Sequence, residues 1–181
     1  MKRLFTTLLL AGLAFGSSAV LTTVGPAHAA DGETIDAFLA WSGKGHTYEI
    51  GVDRMIFVGA LVGPLYVDTE HGLVPSGSAS CPVMVHIETS TAAQSAEGHC
   101  LIENVDGDRV YADISCTGVF RIGCDGTITL TGGTGIFEGV TGSGTVMVRS
   151  ERQSFVEQQD GVRHAEGAGI MSIKGLTYTI P

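Results

Sequence analysis

Apolar and polar residues alternate in short runs along most of this chain. In the segment RVYADISC, Val110, Ala112 and Ile114 fall on one face of an extended strand, and polar or amphipathic residues fall on the other. β-branched residues are concentrated in such runs, which are separated by glycine, asparagine and aspartate. No segment shows a convincing helical stripe, so the pattern predicts an all-β protein.

The runs follow one another about every ten residues, which is typical of a sandwich or barrel. The predicted strands are 34–41, 46–52, 55–68, 82–88, 99–104, 109–116, 127–131, 144–149, 153–157 and 168–180. Asp106 with Gly107, and Asp160 with Gly161, predict hairpin turns, because both residue types tolerate positive φ. The stretch TEHGLVPSGSAS, from Thr69 to Ser80, is predicted to be a long loop.

The segment MIFVGALVGPLYV, residues 55–67, departs from simple alternation because it is apolar on both faces. We expect both faces to be covered, or one face to lie against another subunit. Gly59, Gly63 and Pro64 would let this strand bend where a barrel turns a corner.

The first 29 residues have the pattern of a secretory signal peptide. Lys2 and Arg3 precede a long apolar run, and Ala27, His28 and Ala29 form a small-x-small cleavage site, so cleavage is predicted before Ala30. An uncleaved membrane anchor is the alternative. Removal of 29 of the 181 residues leaves 152, enough for one domain, 30–181, in the periplasm or outside the cell.

The predicted mature chain is acidic, with 8 basic and 19 acidic residues. This balance argues against binding to nucleic acid or to an anionic membrane surface. No second apolar run approaches the length of about 18 residues that a membrane-spanning helix needs.

All four cysteines lie in the predicted mature chain, which indicates two disulfides in an oxidising compartment. Cys116 and Cys124 flank a loop short enough to staple a hairpin, so we favour Cys116 with Cys124 and Cys81 with Cys100. A four-thiolate zinc site is the rival, but no CxxC pair is present.

The chain carries no recognised catalytic or cofactor motif. GxSxG, HExxH and the phosphate-binding loop are absent, and the five histidines after residue 29 have no metal-binding spacing. No cofactor and no metal is therefore predicted. His86 and Glu88 would share one face of a strand, where they are expected to be a solvent-facing polar pair.

The densest glycine cluster is GGTGIFEGVTGSGTV, residues 132–146. Glycines this close together mark a tight turn between extended segments. The run resembles the glycine-rich turn of the allene oxide cyclase and dirigent barrels, where GG(T/S)GxF is followed by a small residue, another glycine and the next strand. The cyclase pattern GG(S/T)GIFEGV is the closer match. With the leader, the resemblance indicates an exported bacterial member of this barrel superfamily.

The resemblance implies a single antiparallel β-barrel of about eight strands, and a homo-oligomer, often a trimer. The arginine that follows the turn in dirigent proteins falls on Thr141 here, as does the aromatic residue of the cyclases. Glu138 is the single carboxylate inside the run and is the candidate general acid or base. Otherwise Phe137 would plug the barrel and Glu138 would face water.

Two functions are compatible with such a barrel. It would bind a small hydrophobic ligand, or serve as a structural protein, if its interior is a passive pocket or is filled. Alternatively, it would be a cyclase or isomerase that holds a flexible substrate in one shape.

Overall fold

A computed structural model describes residues 32–159 and 161–181, without the side chains of 157–159. The predicted signal peptide, its cleavage site and Asp160 lie outside the described residues. Eight antiparallel strands form one sheet that closes into a barrel. The strands are Glu33–Gly51 (β1), Arg54–Thr69 (β2), Gly72–Glu88 (β3), Ala93–Asn104 (β4), Arg109–Val119 (β5), Gly123–Gly133 (β6), Thr141–Gln159 (β7) and Val162–Thr179 (β8). The predicted fold class is confirmed.

The barrel closes because β1 pairs with β8 along most of its length, from Glu33 opposite Tyr178 to Tyr48 opposite Val162. Each other strand pairs with its sequence neighbours, so all connections are hairpins. Closure leaves the sheet without an unpaired edge over this span, which removes the surface that open sheets expose to aggregation.

Side chains alternate between the interior and the solvent, as the strand period requires. On β5 the predicted inward face is confirmed, since Val110, Ala112 and Ile114 are buried. They join a core that also contains Leu39, Ile128 and Met171, each at most 1% exposed.

The predicted loop from Thr69 to Ser80 is wrong, because Gly72 begins β3. This segment pairs with the end of β2, from Thr69 opposite Gly72 to Leu65 opposite Gly77. Pairing with β4 begins only at Gly77, so Pro75 lies where the second edge of β3 is unpaired and a missing N–H costs no ladder hydrogen bond.

Two of the predicted strand boundaries are also wrong. The runs 34–41 and 46–52 form one strand, β1, and the runs 144–149 and 153–157 form one strand, β7. At the break predicted within β7, the pairing of β7 with β8 shifts its register between Ser150 and Arg152, and the strand continues. Ten predicted runs therefore become eight strands.

Both favoured disulfide pairs are confirmed, Cys81 with Cys100 and Cys116 with Cys124. Each bridge joins neighbouring strands inside the barrel, β3 to β4 and β5 to β6, and all four cysteines are buried. Such disulfides are typical of an oxidising, extracytoplasmic location. In the described ranges, no helix is long and apolar enough to cross a membrane.

The glycine-rich run forms the connection between β6 and β7, as predicted for a tight turn. A short 3-10 turn, Gly135–Phe137, lies in it, and Gly135 and Gly139 have positive φ of 59° and 75°. Phe137 packs against the core, while Val140 is 1% exposed. The amide of Thr134 donates to the carbonyl of Arg109, which ties the connection to β5. This connection covers one end of the barrel.

Candidate functional site

The two ends of the barrel differ. The closed end carries the β2–β3, β4–β5 and β6–β7 connections, and Leu39, Leu65, Leu130 and Val140 fill it. Tyr178 lies near this end, where burial, and then a hydrogen bond with Glu33, raise its pKa to about 12. The open end carries the other four hairpins. There the side chains leave a cavity, which is the candidate functional site.

The cavity has a volume of about 120 Å³. Most of its lining is apolar and comes from all eight strands and the β5–β6 turn. The floor and walls include Trp41, Phe57, Leu61, Val83, Val85, Ile87, Ala96, Ile114, Val148 and Ala165, together with the disulfide of Cys116 and Cys124. Apolar, concave surface of this kind favours small hydrophobic ligands.

Among the described residues of the cavity wall, two polar atoms are buried without a hydrogen-bond partner. They are the indole Nε1 of Trp41 and the side-chain oxygen of Gln153. A Cβ placed on Gly167 would lie 3.5 Å from Cγ of Gln153 and 3.6 Å from Cζ3 of Trp41, so both side chains lie next to this glycine. An unsatisfied buried polar group costs about 1–3 kcal/mol, and such groups are often found at functional sites.

The mouth of the cavity is formed by two aromatic rings from different parts of the chain. Phe120 comes from the β5–β6 turn and Phe155 from β7, and their ring centroids are 6.0 Å apart. The guanidinium of Arg121 lies over both rings, with its carbon 5.5 Å and 5.4 Å from the two centroids. A cation therefore lies beside the entrance to an otherwise apolar space.

Among the described residues that line the cavity, Glu166 is the single ionisable group apart from the bridged cysteines. Its carboxylate is 3.2 Å from Nε2 of His164 and 3.3 Å from Nζ of Lys44. Hydrogen bonds, first from His164 and then from Lys44, lower its pKa, so Glu166 stays ionised. A carboxyl held in this form is poorly suited to donate a proton near neutral pH.

The structure does not bring Glu138 to the cavity. Glu138 is exposed and follows the 3-10 turn at the closed end, where its amide donates to the carbonyl of Gly135. Thr141, at the position of the families' arginine or aromatic residue, is exposed at the same end and pairs with Thr179. A catalytic role for Glu138 stays a prediction, and it would have to act outside this cavity.

A wider depression of about 480 Å³ lies outside the open end of the barrel. His86 and Glu88 contribute to it from β3, but Glu88 forms an ion pair with Arg54, with 3.3 Å between Nε and the carboxylate. The side chains of Arg54 and Glu88 are 57% and 51% exposed, and His86 is exposed as well. Water therefore competes for the polar contacts of this depression. The enclosed cavity is therefore the stronger site.

No family model matches the chain, and no curated protein matches it in sequence. Among solved structures, it is similar to a pterocarpan synthase dirigent protein, with 12% sequence identity and a TM-score of 0.35. The matched region covers 90% of this chain and 99% of that protein. The barrel of this protein is defined by its own strand pairing.

Sequence reasoning missed the residues that form the cavity. Trp41, the adjacent pair Phe120 and Arg121, and Gln153 come from three distant parts of the chain, and none belongs to a motif. The single tryptophan and the FR pair inside the loop between Cys116 and Cys124 were the available signals. Neither indicates a site until the barrel closes and brings β1, β7 and the β5–β6 turn to one end.

Proposed function

We propose that this protein is an exported β-barrel that binds a small hydrophobic ligand in the cavity at its open end. The supporting observation is that the interior is packed at the closed end but leaves an apolar cavity at the other. The leader-like residues 1–29 and the two disulfides support export.

The size of the cavity limits the ligand. About 120 Å³ is less than the roughly 300–1,000 Å³ of a site for a drug-sized molecule. Apolar cavities of about 150 Å³ accept benzene, so a single ring or a short branched chain is the appropriate size. A ligand hydroxyl could accept from the indole N–H of Trp41 or donate to the side-chain oxygen of Gln153, and so offset the cost of an unpartnered atom.

Binding can be measured through Trp41, because it is the single tryptophan of the chain and lines the cavity. Titration with toluene is expected to change its fluorescence with saturation. Ala96 also lines the cavity, so Ala96→Leu places three extra carbons in the space. We expect this variant to weaken toluene binding by about tenfold or more.

Ala93→Leu is the matched control, since Ala93 lies on the same strand but is exposed and outside the cavity. It should bind toluene as the unmodified protein does. Absence of saturable binding in the unmodified protein, or equal binding by the two leucine variants, would show that the cavity is not a ligand site.

We also propose that the barrel forms a homo-oligomer through the outer face of β2. The outward residues of the apolar segment include Val58 and Val62, each 46% exposed, and Val58 lies opposite Met84 of β3, which is 39% exposed. A second copy that covers this face would remove apolar surface from water.

Sedimentation at micromolar concentration should show a species larger than a monomer, and Val58→Glu should shift it to the monomer. A monomeric unmodified protein would contradict the proposal.

A further inference from the structure

Arg121 is unusual among the basic residues of this acidic protein. Six of the eight lysines and arginines in the described ranges form ion pairs with carboxylates. The two without an ion pair are Arg121 and Arg152. Acidic residues outnumber basic residues 19 to 10 in the chain, so a cation without an ion pair is not explained by a shortage of carboxylates.

The two arginines have different surroundings. Both are exposed, but Arg121 lies over Phe120 and Phe155, which line the cavity, whereas Arg152 has no aromatic contact and does not line the cavity. Among the described residues, the Arg121 guanidinium has these two ring contacts and neither an ion pair nor a hydrogen bond. Its N–H groups lie in the plane of the group and stay available, in a fork that matches a carboxylate.

The backbone holds the turn that carries Arg121 in place. The amide of Phe120 donates to the carbonyl of Ala92, at 2.8 Å, and the amide of Ser150 donates to the carbonyl of Ile122, at 3.0 Å. Hydrogen bonds to the β3–β4 hairpin and to β7 therefore flank Arg121 on both sides. Arg121 itself has a φ of 67°, a conformation that persists in a non-glycine residue where the surroundings impose it. A turn whose backbone is already ordered does not have to be ordered again when a ligand binds.

From these observations we infer that the ligand is a compact amphiphile with one anionic group. Its apolar body would occupy the cavity, and its carboxylate, or a similar oxyanion, would contact Arg121 at the mouth. This inference rests on the proposed function and adds the charge of the ligand to it. The side chain of Arg121 is exposed, so its contact with an anion would be the modest one of a partly solvated charge pair.

Phenylacetate and phenylacetamide test the inference, because they have the same size and shape but differ in charge. Measured through Trp41 fluorescence, phenylacetate is expected to bind about three- to tenfold more tightly than phenylacetamide, the range for a partly exposed charge-assisted contact. In Arg121→Gln this preference should fall to about one. Arg152→Gln makes the same change in net charge away from the cavity, and it should keep the preference.

The outcomes separate the two proposals. Equal binding of the two probes by the unmodified protein, or a preference that survives in Arg121→Gln, would overturn the inference while leaving the hydrophobic cavity as a ligand site. A preference lost equally in Arg152→Gln would also overturn it, because net charge alone would then explain the effect. If neither probe nor toluene binds, the proposed function itself fails.

Discussion

Gly59→Ala is expected to lower the free energy of unfolding by about 3 kcal/mol. Gly59 on β2 lies opposite Gly45 on β1, and the ring of Phe57 lies against both glycines. A methyl group at position 59 would overlap the carbonyl oxygen of Lys44 and the ring of Phe57. The carbonyl belongs to the backbone of the neighbouring strand, so β1 and β2 would have to separate. Urea denaturation followed by circular dichroism measures the loss.

Gly51→Ala is the matched control, since Gly51 ends β1 and a methyl group there would come no closer than 3.9 Å to another side chain. It should leave stability nearly unchanged, or raise it slightly by restricting the unfolded chain. A Gly59→Ala protein as stable as the Gly51→Ala protein would show that the two strands do not need their close approach. Because Phe57 also lines the cavity, the same substitution should weaken toluene binding.

Replacing both Cys81 and Cys100 by alanine should cost about 3 kcal/mol in the free energy of unfolding. The bridge closes a loop with a sequence separation of 19, and its loss restores that conformational freedom to the unfolded chain. Both sulfurs also lie in the core, where Cys81 is 1% exposed, so their removal leaves a void. The loss is measured by urea denaturation at a fixed pH and temperature.

The double variant Cys116→Ala with Cys124→Ala is the comparison. Its loop has a sequence separation of 8, and its sulfurs border a cavity instead of fully packed core, so its loss should be smaller, about 2.5 kcal/mol. A change of less than 1 kcal/mol in the Cys81 and Cys100 variant would contradict the expectation that this bridge is a main source of stability.

The strands and short turns could be predicted because their signals are local. Alternation on β5 and the turn at Asp106 and Gly107 depend on residues within a few positions, and Gly107 has the positive φ, 88°, that this turn needs. The predicted loop from Thr69 to Ser80 failed for the opposite reason. Its glycine, serine and proline residues have weak strand preference, and from Gly72 onwards it becomes a strand because β2 supplies a partner for most of its residues.

The continuity of β1 could not be predicted from local sequence either. The break predicted between 41 and 46 contains Gly43 and Gly45, which by themselves weaken a strand. In the folded protein, side chains from elsewhere cover both positions. Leu61 of β2 lies 2.9 Å from the Cβ position of Gly43, and Phe57 of β2 packs against Gly45, so β1 runs unbroken past both glycines.

The amino-acid sequence by itself determined that this protein is all-β, disulfide-bonded and turned tightly at its glycine-rich run, since periodicity, cysteine spacing and glycine conformation act over short distances. Only the tertiary structure decided which end of the barrel is filled and which is hollow. The glycine-rich run lies at the filled end, and the cavity is made by Trp41, Phe120 and Phe155, which meet only when β1 pairs with β8. A cavity is the space left after packing, and packing depends on contacts among all the strands at once.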